Sequence, residues 1–275
     1  MIPLDVVREV ARELDEAGVP SPRVDAEYLV AHVLGLSRSE LYSSDVELAE
    51  PHSSRLRALV ERRQLREPLA YVLGEWGFRR LALAVDRRAL IPRPETEVVV
   101  ERCLDRLRGM SEPRVLDVGA GSGAIALSIA DEHPGARVVA VDQAEDALAL
   151  ARVNLERTGV NGRVELVHGH LLAGVEGPFD LVVSNPPYVL PHEFESLQPE
   201  IRLYEPRDAL VGEGVGTEIA RAARDVLRPD GWLVLESADG QTEVLASALQ
   251  GLGYENVATT HDLAGRPRVV EARRP

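Results

Sequence analysis

The stretch Arg114–Ala130, RVLDVGAGSGAIALSIA, decides the fold. Its apolar beginning predicts a buried strand, the glycines at 119, 121 and 123 predict a tight loop, and the apolar run that follows predicts a helix. Glycines at this spacing let the backbone turn sharply and contact a ligand directly, as in dinucleotide-binding folds. The final glycine of the pyrophosphate-binding version is missing, so the loop alone does not identify the ligand.

Strands and helices alternate from this stretch to the end of the chain. We predict strands at 114–118, 137–141, 163–167, 179–184, 231–236, 253–259 and 267–272, and helices at 124–132, 144–158, 216–227 and 240–251. This βαβ rhythm predicts an α/β fold with a Rossmann-like, doubly wound sheet of seven strands.

The chain before residue 93 has a different pattern. LDVVREVARELDEAG (4–18) places Val6, Val7, Val10 and Leu14 on one helical stripe, and further helical segments follow. Between 71 and 92 the pattern changes to alternation, which predicts a β-hairpin. We therefore expect a helical N-terminal domain (1–70), a hairpin linker (71–92) and an α/β domain (93–275).

Charge and cysteine content limit the function classes. The net charge is −14, and all 31 basic residues are arginines. The acidic excess lies in residues 91–275 and argues against nucleic acid as a partner, because binding to a phosphate backbone relies on Lys and Arg. We interpret the arginine groups of the first 90 residues as a solvated helix face and a charged hairpin: Arg62, Arg63, Arg66, Arg79, Arg80, Arg87 and Arg88.

The single cysteine and the hydropathy pattern predict a cytoplasmic protein without membrane contact. Cys103 has no partner for an internal disulfide and lies in an apolar segment, where we expect a buried small side chain. No apolar run approaches the length of a membrane span.

Asp142 ends the strand that follows the glycine loop, VVAVD. An acidic residue at this position can accept both hydroxyls of a ribose, although it could instead cap the helix that begins near Ala144. Together with Asp117 in the first strand, the pattern fits the class I S-adenosylmethionine methyltransferases better than NAD-binding enzymes.

A second unusual segment is LVVSNPPY (181–188). Strand 179–184 should lie beside strand 114–118, which places Asn185-Pro186-Pro187-Tyr188 at the carboxyl edge of the sheet and in the cofactor crevice. This tetrapeptide is typical of enzymes that methylate a planar nitrogen, either a base amine or a side-chain amide; a stiff turn is the alternative.

The rigid segment Asn185–Tyr188, called the proline corner below, meets a specific chemical need. An amide nitrogen is a poor nucleophile, and two acceptors on its N–H bonds, the Asn185 side-chain oxygen and the Pro186 carbonyl, would orient it for attack. Pro186 and Pro187 fix φ and remove competing donors. The Tyr188 ring offers a flat face to the substrate, so Asn185, Pro186 and Tyr188 are the catalytic candidates.

Nearly the whole chain resembles the peptide chain release factor N5-glutamine methyltransferases of the HemK/PrmC type. IPRPETE (91–97) and YEPRDAL (204–210) add to the two motifs above. The resemblance implies methylation, by S-adenosylmethionine, of the glutamine in the Gly-Gly-Gln motif of class I release factors, with the N-terminal domain gripping the factor. It implies cofactor contacts at Gly119, Ala120, Gly121, Ser122, Gly123, Asp142, His170, Leu171 and Asn185, and substrate contacts at Asn185, Pro186, Pro187 and Tyr188.

Three places in the sequence depart from the family pattern, and one of them is GVGTE (214–218), where the family usually has Asp-Gly-Leu. His170 stands where the family usually has an aspartate near the adenine, and Ala238 where a glycine is usual. His168 and His170 lack carboxylate or thiolate partners in the sequence, so we expect no metal site. A monomer is expected.

Three other functions remain open at this point. One is methylation of a glutamine in a ribosomal protein, although IPRPETE favours the release factor. Another is methylation of a nucleic-acid amino group, which would need a basic channel for a flipped base. The third is a cofactor-binding scaffold without turnover.

Overall fold

The computed structural model describes residues 3–275 and begins with four α-helices. They are α1 (Pro3–Glu16), α2 (Pro22–Leu34), α3 (His52–Gln64) and α4 (Leu69–Leu73). The predicted stripe of α1 is confirmed, because Val6, Val7, Val10 and Leu14 are all buried. Apolar side chains from α1, α2 and α3 form one core cluster, which stabilises this helical part by burying a shared apolar surface.

A short hairpin and then the alternating part of the chain follow. The remaining strands and helices are, in order, β1 (Glu75–Phe78), β2 (Leu81–Ala84), α5 (Pro94–Leu107), β3 (Arg114–Val118), α6 (Ala124–Glu132), β4 (Arg137–Asp142), α7 (Glu145–Thr158), β5 (Val164–His168), β6 (Phe179–Ser184), α8 (Pro199–Tyr204), α9 (Val215–Val226), β7 (Leu227–Glu236), α10 (Thr242–Gly251), β8 (Glu255–His261) and β9 (Pro267–Arg273). The predicted α/β fold class and hairpin are confirmed.

One strand begins earlier than predicted. Strand β7 starts at Leu227, although the Pro-Asp-Gly sequence at 229–231 is typical of a turn. Phe179 pairs with Leu227 and Leu181 with Trp232, so the register shifts between them, and Asp230 has a φ of +65°. The turn-forming residues are therefore accommodated as an irregularity inside the strand.

The seven-stranded sheet has the order β5-β4-β3-β6-β7-β9-β8. Strand β9 runs antiparallel to both of its neighbours, β7 and β8, and the other pairs are parallel. Val118 pairs with Ser184 at the ends of β3 and β6, so the predicted adjacency of these two strands is confirmed. The Ser184 hydroxyl donates to the Val118 carbonyl at 2.6 Å and ties the two carboxyl ends together.

Side chains alternate between the two faces of the sheet. Along β6, Leu181 and Val183 pack in one cluster with side chains of α5 and α6, whereas Val182 packs in another with α9 and α10. The first cluster contains the fully buried Cys103, and burial raises the pKa of its thiol well above the ordinary value. This supports a packing role for the cysteine.

The contacts divide the chain into two units. The first contains residues 1–75 together with 198–204, and the second contains 76–197 and 205–275. The sequence-based boundaries at 70 and 92 stay a prediction. Within the described residues 3–275, no helix is both long enough and apolar enough to cross a membrane.

A buried ion-pair network holds segment 198–204 in the first unit. Glu200 accepts hydrogen bonds from Arg63 at 2.9 Å and from Arg66 at 2.7 Å, and Arg63 also donates to Asp25 at 2.7 Å. The interpretation of this arginine group as a solvated face is wrong for Arg63, whose exposed fraction is 4%. A buried guanidinium needs such partners, because an unpaired buried charge is costly.

Candidate active site

A cavity of about 620 Å³ opens at the carboxyl edge of β3, β4 and β6. Most of the site residues predicted from the sequence line this cavity. Those that line it are Gly119, Ala120, Gly121, Ser122, Asp142, His170, Leu171, Asn185, Pro186 and Pro187, whereas Gly123 and Tyr188 are not part of its wall. Ligand sites in open α/β sheets lie at this edge, where the strand order reverses.

The three glycines of the loop serve two purposes. All three have positive φ, +78° at Gly119, +56° at Gly121 and +85° at Gly123. A Cβ on Gly119 or Gly121 would meet no atom within 4 Å, whereas one on Gly123 would lie 3.0 Å from Leu127. The first two glycines therefore leave backbone open to a ligand, and the third allows helix α6 to begin close to the loop.

Asp142 accepts two backbone N–H groups, and its predicted ribose contact stays a prediction. One carboxylate oxygen accepts the Gly121 N–H at 2.8 Å, and the other accepts the Ala144 N–H at 2.8 Å. The carboxylate thus supports the glycine loop and the start of α7. Because it has about four acceptor sites, it can still accept hydroxyl groups from the cavity that it lines.

His170 and Leu171 lie at the same edge, beyond β5. The His170 side chain is exposed, and Leu171 has a φ of +50°, a backbone conformation that few non-glycine residues adopt. His168 is 3.0 Å from the Gln143 carbonyl oxygen. No group of three or more His, Cys, Asp or Glu residues within 3–275 is arranged to hold a metal ion.

Behind Asn185 the structure contains a buried polar chain that sequence reasoning missed. The Asn185 side-chain nitrogen donates to the Thr96 hydroxyl at 3.1 Å, and Thr96 donates to one oxygen of Glu236 at 2.7 Å. The Tyr188 hydroxyl donates to the other oxygen of Glu236 at 3.3 Å. The Tyr188 ring is thus anchored through its hydroxyl.

Glu236 is 1% exposed, and this burial raises its pKa to about 7. The hydrogen bonds from Thr96 and Tyr188 and the charge of Arg268 oppose the shift, and the charge of Glu95 adds to it. Burial also raises the pKa of Tyr188 well above its ordinary value, with the charge of Glu236 as the next cause. Titratable groups with such shifted values are concentrated at functional sites.

The proline corner is held from its far side by the segment that follows α8. Val189 donates to the Leu210 carbonyl at 2.9 Å, and Gly212 donates to the Val189 carbonyl at 3.1 Å. A Cβ on Gly212 would lie 2.8 Å from the Pro187 oxygen, so only glycine fits there. The Gln241 side chain donates to the Tyr188 carbonyl at 3.1 Å.

Two further buried residues connect the motifs. Glu205 accepts the Ile91 N–H at 3.2 Å and pairs with Arg93, so it joins YEPRDAL to IPRPETE. Asn154 accepts the Ala84 N–H at 2.7 Å and donates to the Ser122 carbonyl at 2.9 Å, which ties the hairpin to the glycine loop. Nothing in the sequence around Asn154 distinguishes it from an ordinary polar residue of an amphipathic helix.

Comparisons with known proteins match the helical first part and the α/β part of the chain separately. The family model of the PrmC N-terminal domain matches residues 5–74, and that of the methyltransferase small domain matches residues 96–201. A solved methyltransferase from Pyrococcus furiosus superposes with a TM-score of 0.53 over 70% of this chain and 87% of its own, at 24% identity. At that identity the likeness shows the fold alone.

Two curated relatives are more similar in sequence. The release factor glutamine methyltransferase of Deinococcus radiodurans is 41% identical, over 98% of this chain and 98% of its own. The protein of the same name from Geobacter sulfurreducens is 42% identical, over 94% of this chain and 92% of its own. Matches at this level over both whole lengths show that the chain belongs to the release factor glutamine methyltransferase family.

Proposed function

We propose that this protein transfers a methyl group from S-adenosylmethionine to the side-chain amide nitrogen of the glutamine in the Gly-Gly-Gln motif of class I release factors. One observation carries the proposal: Asn185, Pro186 and Pro187 line the same cavity as an open glycine loop. The proposed cofactor-binding residues and the proposed substrate-binding residues therefore border one cavity.

The residues at the glycine end fit the cofactor. Gly119 and Gly121 leave room beside the backbone, and Asp142 retains acceptor sites for the ribose hydroxyls. His170 and Leu171 would border the adenine, and the imidazole can donate or accept a hydrogen bond there. S-adenosylmethionine supplies a methyl group on a positively charged sulfur and leaves as S-adenosylhomocysteine.

The residues at the corner would act on the glutamine amide. The Asn185 side-chain oxygen and the Pro186 carbonyl accept its two N–H bonds, which orients the nitrogen and stabilises the positive charge that develops on it. The methylated nitrogen is acidic and loses a proton to water, so no strong base is needed. Tyr188 is not part of the cavity wall; with its hydroxyl held by Glu236, it would support Asn185, Pro186 and Pro187 from behind.

The test is methylation of an unmodified release factor. The protein is incubated with S-adenosylmethionine and the factor, and mass spectrometry of the Gly-Gly-Gln peptide should show one added methyl group. A release factor with alanine in place of the motif glutamine is the matched control and should gain none. Labelling of a ribosomal protein or a nucleic acid, with no labelling of the release factor, would identify one of the alternative functions instead.

Location and assembly are part of the same proposal. Release factors act on ribosomes, so an enzyme that modifies them is proposed to work in the cytoplasm, and we expect it to be a monomer that binds one factor. Light scattering on the purified protein should return a mass close to the 30.0 kDa of the chain. A stable dimer mass would contradict the monomer.

A further inference from the structure

The hydrogen bonds that connect Asn185, Thr96 and Glu236 all run in one direction, because each donor has only one possible acceptor. Thr96 has one hydroxyl proton and lies 2.7 Å from a Glu236 oxygen. An ionised carboxylate can only accept hydrogen bonds, so the Thr96 proton must point to Glu236. The Thr96 oxygen is then left as an acceptor for its other neighbour, Asn185.

This direction decides which end of the Asn185 amide faces Thr96. Only the nitrogen of a side-chain amide can donate, so Asn185 must turn its NH₂ group to Thr96, which it does at 3.1 Å. The oxygen of the same amide then faces away from Thr96. The reversed amide would place two acceptors against each other in a region where Thr96 is 4% exposed, and such an arrangement is costly.

We propose that Glu236 is a positioning residue which, through Thr96, fixes the Asn185 amide in the orientation that offers its oxygen to the substrate N–H. Glu236 accepts the Tyr188 hydroxyl with its second oxygen, so one carboxylate holds both polar ends of the Asn185–Tyr188 corner. The inference rests on the proposed function, since it assigns a role in binding and orienting the glutamine amide.

A protonated Glu236 would no longer fix the orientation of the Asn185 amide. It could donate to Thr96, and Thr96 could then donate to the Asn185 oxygen and reverse the amide. The groups that act on Glu236 are Thr96 and Glu95 of α5, Tyr188 of the corner and Arg268 of β9, and burial places its pKa at about 7. Turnover should therefore fall as the pH drops below about 7.

Two substitutions separate positioning from simple packing. Thr96→Val keeps the size of the side chain but removes the hydroxyl, and should lower kcat about 10-fold at pH 8.5, the effect of losing one hydrogen bond. Its dissociation constant for S-adenosylmethionine, measured by calorimetry, should change less than about 3-fold. Thr96→Ser restores the hydroxyl and should recover most of kcat.

The pH profile provides the readout that a structural role would not change. Glu236→Gln removes the titrating group, so the fall in kcat between pH 8 and pH 6 should flatten relative to the wild type. Ser128→Ala is the control, because Ser128 is a buried hydroxyl with no hydrogen-bond partner among the described residues and lies on α6. Its kcat and pH profile should match those of the wild type.

A measurement without substrate makes failure of this inference distinct from failure of the proposed function. The side-chain NH₂ resonances of Asn185, assigned by their loss in Asn185→Asp, should shift with a midpoint near pH 7 in the wild type. They should not shift in Glu236→Gln. Resonances that titrate identically in both proteins, or a Thr96→Val enzyme with wild-type kcat and pH profile, would overturn the inference even if the wild type methylates release factors.

Discussion

The two ends of the cavity each have a buried carboxyl group behind them, and the two groups are held differently. Behind the glycine loop, Asp117 accepts the Ala126 N–H at 3.1 Å with one oxygen, and its other oxygen has no hydrogen-bond partner among the described residues. Behind the proline corner, both oxygens of Glu236 accept hydroxyl groups. Burial raises the pKa of each to about 7.

The difference shows how each end is built. The glycine loop depends on backbone conformation and on the hydrogen bond from the Gly121 N–H to Asp142, so its side chains can be few and small. The corner depends on a chain of side chains that leads from Asn185 to Glu236. Substitutions at the loop should therefore change ligand affinity, and substitutions at the corner should change turnover.

Asn185→Ala is expected to produce the largest effect and tests the corner directly. It removes an acceptor that acts on the charge developing in the transition state, so kcat should fall by about 10²-fold or more. Calorimetry should find S-adenosylmethionine binding largely retained. Asn161→Ala, at an exposed asparagine in a turn, should leave both values unchanged. Equal losses of affinity and rate would make Asn185 mainly a cofactor contact and remove the contrast between the two ends.

Asp142→Ala should have the next largest effect, and at the opposite end. The substitution removes the acceptor of the Gly121 and Ala144 N–H groups and the proposed ribose contact. The dissociation constant for S-adenosylmethionine should rise about 10-fold, equivalent to about 1.4 kcal/mol, while kcat at saturating cofactor changes only a few-fold. Asp225→Ala, at an exposed position of α9, is the control. Unchanged cofactor affinity in Asp142→Ala would exclude the ribose contact.

Asp117→Asn should have the smallest effect on turnover and should act on stability instead. The folded protein keeps the Asp117 proton up to about pH 7, whereas the unfolded chain releases it at about pH 4, so the free energy of unfolding falls as the pH rises between these values. The asparagine side chain of the variant does not titrate, so urea unfolding should show the wild type losing about 2 to 3 kcal/mol relative to the variant from pH 5 to pH 7.5. If the pH profile of kcat in Asp117→Asn flattened as it is expected to in Glu236→Gln, both carboxyl groups would control turnover and the contrast between the two ends would be lost.

The regular elements and the two ends of the site could be predicted from sequence because their signals are local. Strand β3, the glycine loop and helix α6 follow one another within 114–132, and Asp142 stands where a strand ends. The Asn185 corner has residue types that are rare together. In each case a few adjacent residues determine the backbone that the structure shows.

The support behind the site could not be predicted, because its partners are distant in sequence. Thr96 and Glu236 are 140 positions apart, and Glu205 and Ile91 are 114 apart. The available signal for Glu236 was its position as a charged residue at the end of the apolar strand β7. Asp142 gives the same kind of signal at the end of β4. Asn154 gave no such signal, since only the fold brings it to Ser122.

The placement of residues 198–204 in the first unit has a consequence for how this protein can be divided. A fragment that starts at Trp76 retains Glu200 but lacks Arg63 and Arg66, and therefore carries a carboxylate whose guanidinium partners have been cut away. A fragment that ends at Glu75 retains Arg63 and Arg66 but lacks Glu200, the carboxylate to which both donate. The helical part is thus not a detachable accessory, and transplanting it onto another enzyme would require carrying this distant seven-residue segment with it.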